Sequence, residues 1–183
     1  MPVKPNFNPD NFYFVTTSAI KHMQLFRQDV IKRIIADSLH HLRMTKHMKL
    51  FVFVIMPNHV HVVVQCIEEY SLSNIMRDFK KFTARQIYHQ IHAEGNSKFL
   101  EVLKQEGKRV KQEYKVWEDG YDARDVFSTE FLQQKIDYIH HNPCQPQWNL
   151  VDSPEQYLWS TAGFYFDGKP CVIPIDDVRE FLV

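Results

Sequence analysis

Several residue types that mark common binding loops and scaffolds are scarce in this chain. Of its 183 residues, 5 are glycine and 3 are cysteine. No GxGxxG or GKS/GKT stretch occurs, which excludes the glycine-rich phosphate loops of nucleotide-binding proteins. Cys66, Cys144 and Cys171 are odd in number and far apart. That spacing argues against a disulfide framework or a zinc ribbon, and it favours a reducing cytoplasm.

An excess of charge and a long apolar run are also missing. The formal net charge is zero, so binding to nucleic acid must depend on local basic patches. The longest apolar run, Leu50 to Met56, has seven residues and is too short to span a bilayer. The amino terminus has no apolar core of a signal peptide. We therefore expect one cytoplasmic domain over residues 1–183, with no membrane partner.

What is present is an alternation of strand and helix patterns. Strands are predicted at 11–17, 49–56 and 59–66 and, more weakly, at 116–127; helices are predicted at 27–44, 71–90 and 128–141. Residues 93–115 fit a loop or an inserted helix. The order β-α-β-β-α-β-α predicts an α+β, ferredoxin-like βαββαβ antiparallel sheet with helices on one face, followed by a C-terminal helix and a tail. Pro143 is expected to end that helix, because proline disfavours helical geometry in the residue before it.

Two histidines one residue apart, His59 and His61, follow the tight turn at Pro57-Asn58. Side chains on a strand alternate between faces, so both imidazoles point the same way, about 7 Å apart at Cα. Two ring nitrogens at this spacing can converge on one metal ion, and binding should then fade below about pH 6.5, where imidazole protonates. The alternative is a pair of polar residues on a solvated strand face.

A second group of polar residues ends the last predicted helix. Tyr138 and Asn142 are four residues apart and therefore share a helix face. An amide oxygen beside a phenol could serve as a third metal ligand next to a nucleophile. A core aromatic is the alternative for Tyr138.

Basic residues recur along one side of the second predicted helix, at Arg77, Lys80, Lys81 and Arg85. They could contact the phosphates of DNA. They could equally form a solvated face opposite the apolar side, which is predicted to hold Leu72, Ile75, Met76, Phe79 and Phe82. Trp117, Tyr121 and Trp148 could stack on bases, or the tryptophans could pack in the core.

Taken together, these segments resemble the single-tyrosine transposases of the HUH superfamily, and most closely their REP-associated branch. Residues 56–61 (MPNHVH) are similar to the signature hairpin of the family, and residues 137–143 (DYIHHNP) are similar to its tyrosine helix. Further similarities lie at residues 12–17, 77–83, 117–121 and 159–160. The chain departs from the family after Pro143, where relatives often continue with a short Val-x-Ala-Gly segment.

The resemblance implies cleavage and rejoining of single-stranded or hairpin DNA through a 5′-phosphotyrosine. His59, His61 and Asn142 would hold Mg²⁺ or Mn²⁺, and Tyr138 would be the nucleophile. Insertion-sequence relatives act as dimers, so a homodimer is a further expectation. Two alternatives stay open: a non-catalytic DNA-binding protein descended from a transposase, and a metal-dependent nuclease that uses water.

Overall fold

A computed structural model describes residues 12–45, 48–67 and 70–181. Its centre is a four-stranded antiparallel sheet in the order β2-β3-β1-β4. The strands are β1 (Phe12–Ser18), β2 (Met48–Ile55), β3 (His59–Cys66) and β4 (Asp122–Val126). This topology confirms the ferredoxin-like prediction. The predicted first residue of the first strand, residue 11, lies outside the described residues.

Five α-helices accompany the sheet in the described part of the chain: α1 (Asp29–Met44), α2 (Leu72–Ala93), α3 (Ser97–Arg109), α4 (Thr129–His141) and α5 (Ala162–Asp167). Short 3-10 turns lie at Ile20–His22, before α1, and at Asn142–Cys144, Pro154–Gln156 and Val178–Phe181, after α4. Helix α3 resolves the open prediction for residues 93–115. In the described residues, no helix combines the length and the apolarity that crossing a membrane requires.

Two serine caps set where α2 and α4 begin. The Ser71 hydroxyl accepts a hydrogen bond from the Asn74 N–H at 3.2 Å, and the Ser128 hydroxyl accepts one from the Phe131 N–H at 3.2 Å. Each hydroxyl satisfies a backbone donor that the first helical turn leaves without a partner. Both serines are the first residues of the predicted helices 71–90 and 128–141.

Strand β3 lies inside the sheet, between β2 and β1. The turn at Pro57-Asn58 joins it to β2, and the Met56 N–H donates to the His59 carbonyl at 2.8 Å. Val60, Val62 and Val64 are buried on one face of β3, and His61 is buried on the other. Since both faces are packed, the histidine strand is firmly held.

The outer edge of β2 is covered by the tail of the chain. The Ile55 N–H donates to the Trp159 carbonyl at 2.9 Å, and the Thr161 N–H donates to the Phe53 carbonyl at 3.1 Å. Further along the strand, the Asp176 N–H donates to the Leu50 carbonyl at 2.8 Å. Of the two hairpin strands, β3 is therefore interior, whereas β2 is an edge strand that the tail closes.

One local prediction was wrong. Phe82 was predicted on the apolar side of α2, but its side chain is 51% exposed. The predicted end of the last helix at His141 is confirmed, although Asn142, the residue before Pro143, keeps a helical φ of −55° and ψ of −44°. The chain continues there into the 3-10 turn Asn142–Cys144, where proline can occupy an early position because no N–H is needed. The backbone of Asn142 therefore continues the path of α4.

Candidate metal and nucleophile site

His59 and His61 project from the same face of β3, as the strand alternation predicts. Their ring centroids are 4.6 Å apart. His61 is buried, with 4% of its surface exposed, and its ring stacks on Phe14 of the neighbouring strand at 5.4 Å. His59 is half-buried, and its ring lies 5.7 Å from that of Trp148. The two imidazoles thus form one cluster.

Hydrogen bonds from neighbouring residues fix the orientation of both imidazoles. His61 Nδ1 lies 2.7 Å from the Thr16 hydroxyl oxygen, and His59 Nδ1 lies 2.6 Å from Asn58 Oδ1. When these oxygens accept the Nδ1–H of each ring, the lone pair of each imidazole is on Nε2. Such partners hold a metal-binding histidine in one tautomer and one orientation. Thr16 was not singled out from the sequence, because only strand pairing brings it opposite His61.

Asn142 completes the cluster from the end of α4. Its side chain is 4% exposed and lies close enough to His59 to influence the pKa of that imidazole. Two buried atoms at this place, His61 Nε2 and Asn142 Oδ1, have no hydrogen-bond partner. Buried polar atoms are normally paired, so these two unsatisfied atoms suit a divalent cation. Within residues 12–45, 48–67 and 70–181, no group of three or more His, Cys, Asp and Glu could hold a metal ion. The third possible metal ligand beside the two histidines is therefore the amide oxygen of Asn142.

Burial keeps both imidazoles in the neutral form that binds metal. Desolvation lowers the pKa of His59 to about 4, an effect that the charge of His22 reinforces and the nearby side chain of Asn142 opposes. For His61, desolvation and then the charges of His59 and Lys135 lower the pKa to about 3. A buried imidazole loses the hydration that its cation needs, and the neutral form therefore dominates.

Tyr138 lies over the same cluster. Its ring centroid is 5.2 Å from that of His61 and 6.1 Å from that of Phe14. The side chain is 46% exposed, so the alternative of a fully packed core aromatic does not hold. The structure therefore brings Tyr138, His59, His61 and Asn142 of one chain together, and the tyrosine lies beside the histidines of its own chain.

Lys135, one turn before Tyr138, is a neighbour that the sequence interpretation missed. Its ammonium nitrogen is 4.9 Å from the centroid of the Phe14 ring and 5.9 Å from that of the Tyr138 ring. Its position three residues before Tyr138 places it on the same side of the helix. This three-residue spacing from Tyr138 could have identified Lys135 from the sequence.

The four basic residues of α2 have different surroundings. Lys80 donates to the carbonyls of Glu118 and Gly120 at 2.6 and 2.5 Å, and burial lowers its pKa. Arg77 pairs with its neighbour Asp78 at 2.9 Å. Lys81 and Arg85 are exposed. Lys80 thus holds the loop before β4, and Lys81 and Arg85 offer the most open positive charges of the four.

The tryptophans divide between core and site. Trp117 is buried between Phe26 and Phe79, at centroid distances of 4.8 and 5.6 Å, and its indole N–H donates to the Thr83 hydroxyl at 3.0 Å. It has the core role that was one of its two alternatives. Trp148 is half-buried beside His59 and remains available at the rim of the site.

Comparison with known proteins concerns the fold and the family of the chain. Residues 11–142 match the family model described as "Transposase IS200 like". A solved structure described as a REP-associated tyrosine transposase bound to a REP hairpin has a TM-score of 0.65 and 16% identity, over 97% of this chain and 93% of that chain. A crystal structure from Deinococcus radiodurans R1, described as that of a transposase, has a TM-score of 0.47 and 16% identity, over 76% of this chain and 95% of that chain. A search of curated proteins found no match.

The matched segment contains the histidine hairpin, the basic helix and the tyrosine helix. It covers well over half of the 183 residues. The chain belongs to the IS200-like transposase family.

Proposed function

We propose that this transposase cleaves and rejoins single-stranded DNA by transesterification, with Tyr138 as the nucleophile. One observation carries the proposal: a half-exposed tyrosine lies 5.2 Å, ring to ring, from a buried histidine whose Nε2 has no partner. A phenol that solvent and substrate can reach stands next to donors that suit a cation. Family membership supports the same class of reaction.

In the first step, the Tyr138 oxygen forms a bond to phosphorus and the bond from phosphorus to the 3′ oxygen breaks. The phenol proton passes to solvent, to which the ring is open, and the 3′ oxygen takes up a proton. The product is a 5′-phosphotyrosine, which conserves the energy of the phosphodiester for rejoining. Attack of a 3′-hydroxyl on this phosphotyrosine reverses the step, and no ATP is required.

The chain's own residues prepare the site for that step. His59, His61 and Asn142 would hold a divalent cation, with Thr16 and Asn58 orienting the two rings. When bound, the cation would withdraw electron density from a non-bridging phosphate oxygen. Mixed imidazole and amide ligands suit Mn²⁺ or Mg²⁺, and imidazole favours Mn²⁺.

The DNA partner is proposed to be a hairpin with a single-stranded flank. The solved structure with the TM-score of 0.65 is described as bound to a REP hairpin. Because the identity with that protein is 16%, the fold is shared, whereas the sequence and shape of the DNA recognised here are matters for experiment.

The test is a search for a covalent adduct. Labelled DNA hairpins with single-stranded flanks are incubated with the protein and Mn²⁺, and the products are separated on a denaturing gel. We expect cleavage together with a protein–DNA adduct. Tyr138→Phe removes one oxygen and keeps the ring, so both products should vanish while binding of Mn²⁺ and DNA persists. Tyr70→Phe, at another partly exposed tyrosine, is the matched control and should leave both products unchanged.

Three other outcomes contradict the proposal. An adduct in Tyr138→Phe means that another tyrosine attacks. Cleavage without an adduct in the unaltered protein means that water attacks and the chain is a nuclease. DNA binding without any cleavage, over a library of hairpins, makes it a DNA-binding protein that has lost the reaction.

A further inference from the structure

One side of α4 carries a row of aromatic rings that begins with an almost fully exposed phenylalanine. Phe127, just before the helix, is 82% exposed, more than any other large apolar side chain in the described residues. Its ring lies nearly parallel to that of Phe131, with centroids 5.4 Å apart and an interplanar angle of 14°. Phe131 is partly buried and packs against the core, whereas the ring of Phe127 is open to solvent.

A lysine continues this surface toward the tyrosine. The ammonium nitrogen of Lys135 is 4.9 Å from the centroid of Phe131 and 5.9 Å from that of Tyr138. In the described residues, the ammonium forms no ion pair with a carboxylate. The carboxylates of α4, Glu130 and Asp137, lie roughly 100° or more around the helix from this side, at 3.6 residues per turn.

We propose that Phe127, Phe131 and Lys135, here called the α4 stripe, bind single-stranded DNA beside the scissile phosphate. Bases stack on the two rings, and a backbone phosphate lies against the ammonium of Lys135. The inference rests on the proposed function, because Tyr138 marks where the scissile phosphate must come. It assigns to α4 a DNA contact separate from the basic side of α2.

Chemistry and position both favour single-stranded nucleic acid as the occupant. Proteins that bind single strands combine aromatic stacking surfaces with cations along the backbone, and the α4 stripe has both. The ammonium of Lys135 provides charge complementarity to phosphate, and the stripe is continuous with the nucleophile. The Phe127 and Phe131 ring centroids are 5.4 Å apart, and the helix rises roughly 10 Å from Phe131 to Tyr138 at 1.5 Å per residue. Together these distances reach up to roughly 16 Å, the length of about four or five stacked nucleotides at 3.4 Å each.

The test measures DNA binding in the Tyr138→Phe background, where cleavage cannot consume the probe. The probe is a DNA hairpin with a single-stranded thymidine flank that contains 2-aminopurine, whose fluorescence is quenched by stacking. Phe127→Ala and Phe131→Ala should each weaken binding about fivefold or more and relieve the quenching. Phe127→Trp, which keeps an aromatic ring, should retain both the affinity and the quenching. Phe82→Ala, which removes a half-exposed ring from α2, is the control and should change neither.

The cation is tested through salt dependence. Lys135→Gln should reduce the slope of log affinity against log salt by about 0.7, the value for one phosphate contact on a single strand. Affinity should also rise as the flank is lengthened to about four or five nucleotides and then level off.

The result that overturns the inference is unchanged affinity and quenching in Phe127→Ala, whose side chain is too exposed to affect folding. A change in sedimentation mass without a change in DNA affinity also overturns it, because the stripe would then contact a second copy of the chain. The two proposals can fail separately. Weaker binding in the stripe variants with no adduct in the unaltered protein refutes the tyrosine reaction alone, and an adduct with unchanged binding refutes the stripe alone.

Discussion

Burial of the two site histidines should make metal binding far less sensitive to acid than imidazole ligands usually are. A histidine binds metal through the lone pair of its neutral form, so protons compete with the metal. In the metal-free protein, desolvation lowers the pKa of His59 to about 4 and that of His61 to about 3. The competition should therefore begin near pH 4, well below the value of about 6.5 that an ordinary imidazole implies.

The difference is large enough to measure. Two imidazoles with the ordinary pKa of about 6.5 would weaken metal binding about 70-fold between about pH 7 and about pH 5.5. With the lowered pKa values, nearly all of both rings stay neutral over that interval, and the affinity should change less than about twofold.

The assay is calorimetric titration with Mn²⁺ over this pH series, in a buffer that does not bind the metal. His61→Ala, which removes one donor, is the control and should weaken binding by well over tenfold at every pH. A loss of affinity near 70-fold in the unaltered protein would refute the argument, since the rings would then be solvated in the folded chain.

Three further predictions concern Thr16, Lys80 and His140. Thr16→Val removes the oxygen that pairs with His61 Nδ1 and should lower Mn²⁺ affinity about 10- to 100-fold, whereas Thr16→Ser should keep the wild-type affinity. Equal affinity in all three proteins would contradict the role of Thr16 in orienting His61. Lys80→Met should lower the free energy of unfolding in denaturant by about 1.5–3 kcal/mol, because a charged donor to two carbonyls is lost. Lys81→Ala should leave stability unchanged and reduce the slope of log DNA affinity against log salt by about 0.7. A loss of stability in Lys81→Ala and a reduced salt slope in Lys80→Met would contradict this division. Burial lowers the pKa of His140 to about 4, below its unfolded value, so its contribution to stability is complete above about pH 6.5 and is lost as the pH falls toward 4. Relative to His140→Gln, the wild type should lose about 1.5 kcal/mol more free energy of unfolding between about pH 6.5 and pH 5. Parallel plots of unfolding free energy against pH for the two proteins would contradict this.

The parts of the fold that depend on local patterns could be predicted from the sequence. Alternation along residues 59–66 placed both histidines on one strand face, and the predicted helices 71–90 and 128–141 begin at the serines that cap α2 and α4. Hydroxyl caps and strand alternation depend on residues close to each other in the chain. The order of the elements then restricted the topology to the ferredoxin-like arrangement that is observed.

Contacts between distant segments could not be predicted in the same way. Thr16 meets His61 only because β1 and β3 pair in one particular register. The helical period placed Lys80 on the polar side of α2, but it carried no information on the loop that folds over its ammonium. The helical φ and ψ of Asn142 likewise go against the local preference of a residue before proline, and its side chain is buried in the folded chain.

The tail that closes the outer edge of β2 restricts how two copies of this chain could associate. Unpaired edge strands invite continuous pairing between molecules. Here the segment from Trp159 to Thr161 already occupies the backbone groups of that edge. Within the described residues, the free edge is β4, a short strand of five residues in which charged side chains outnumber apolar ones. A dimer formed by sheet extension would have to use this short edge, so a stable dimer is expected to associate through helical surfaces.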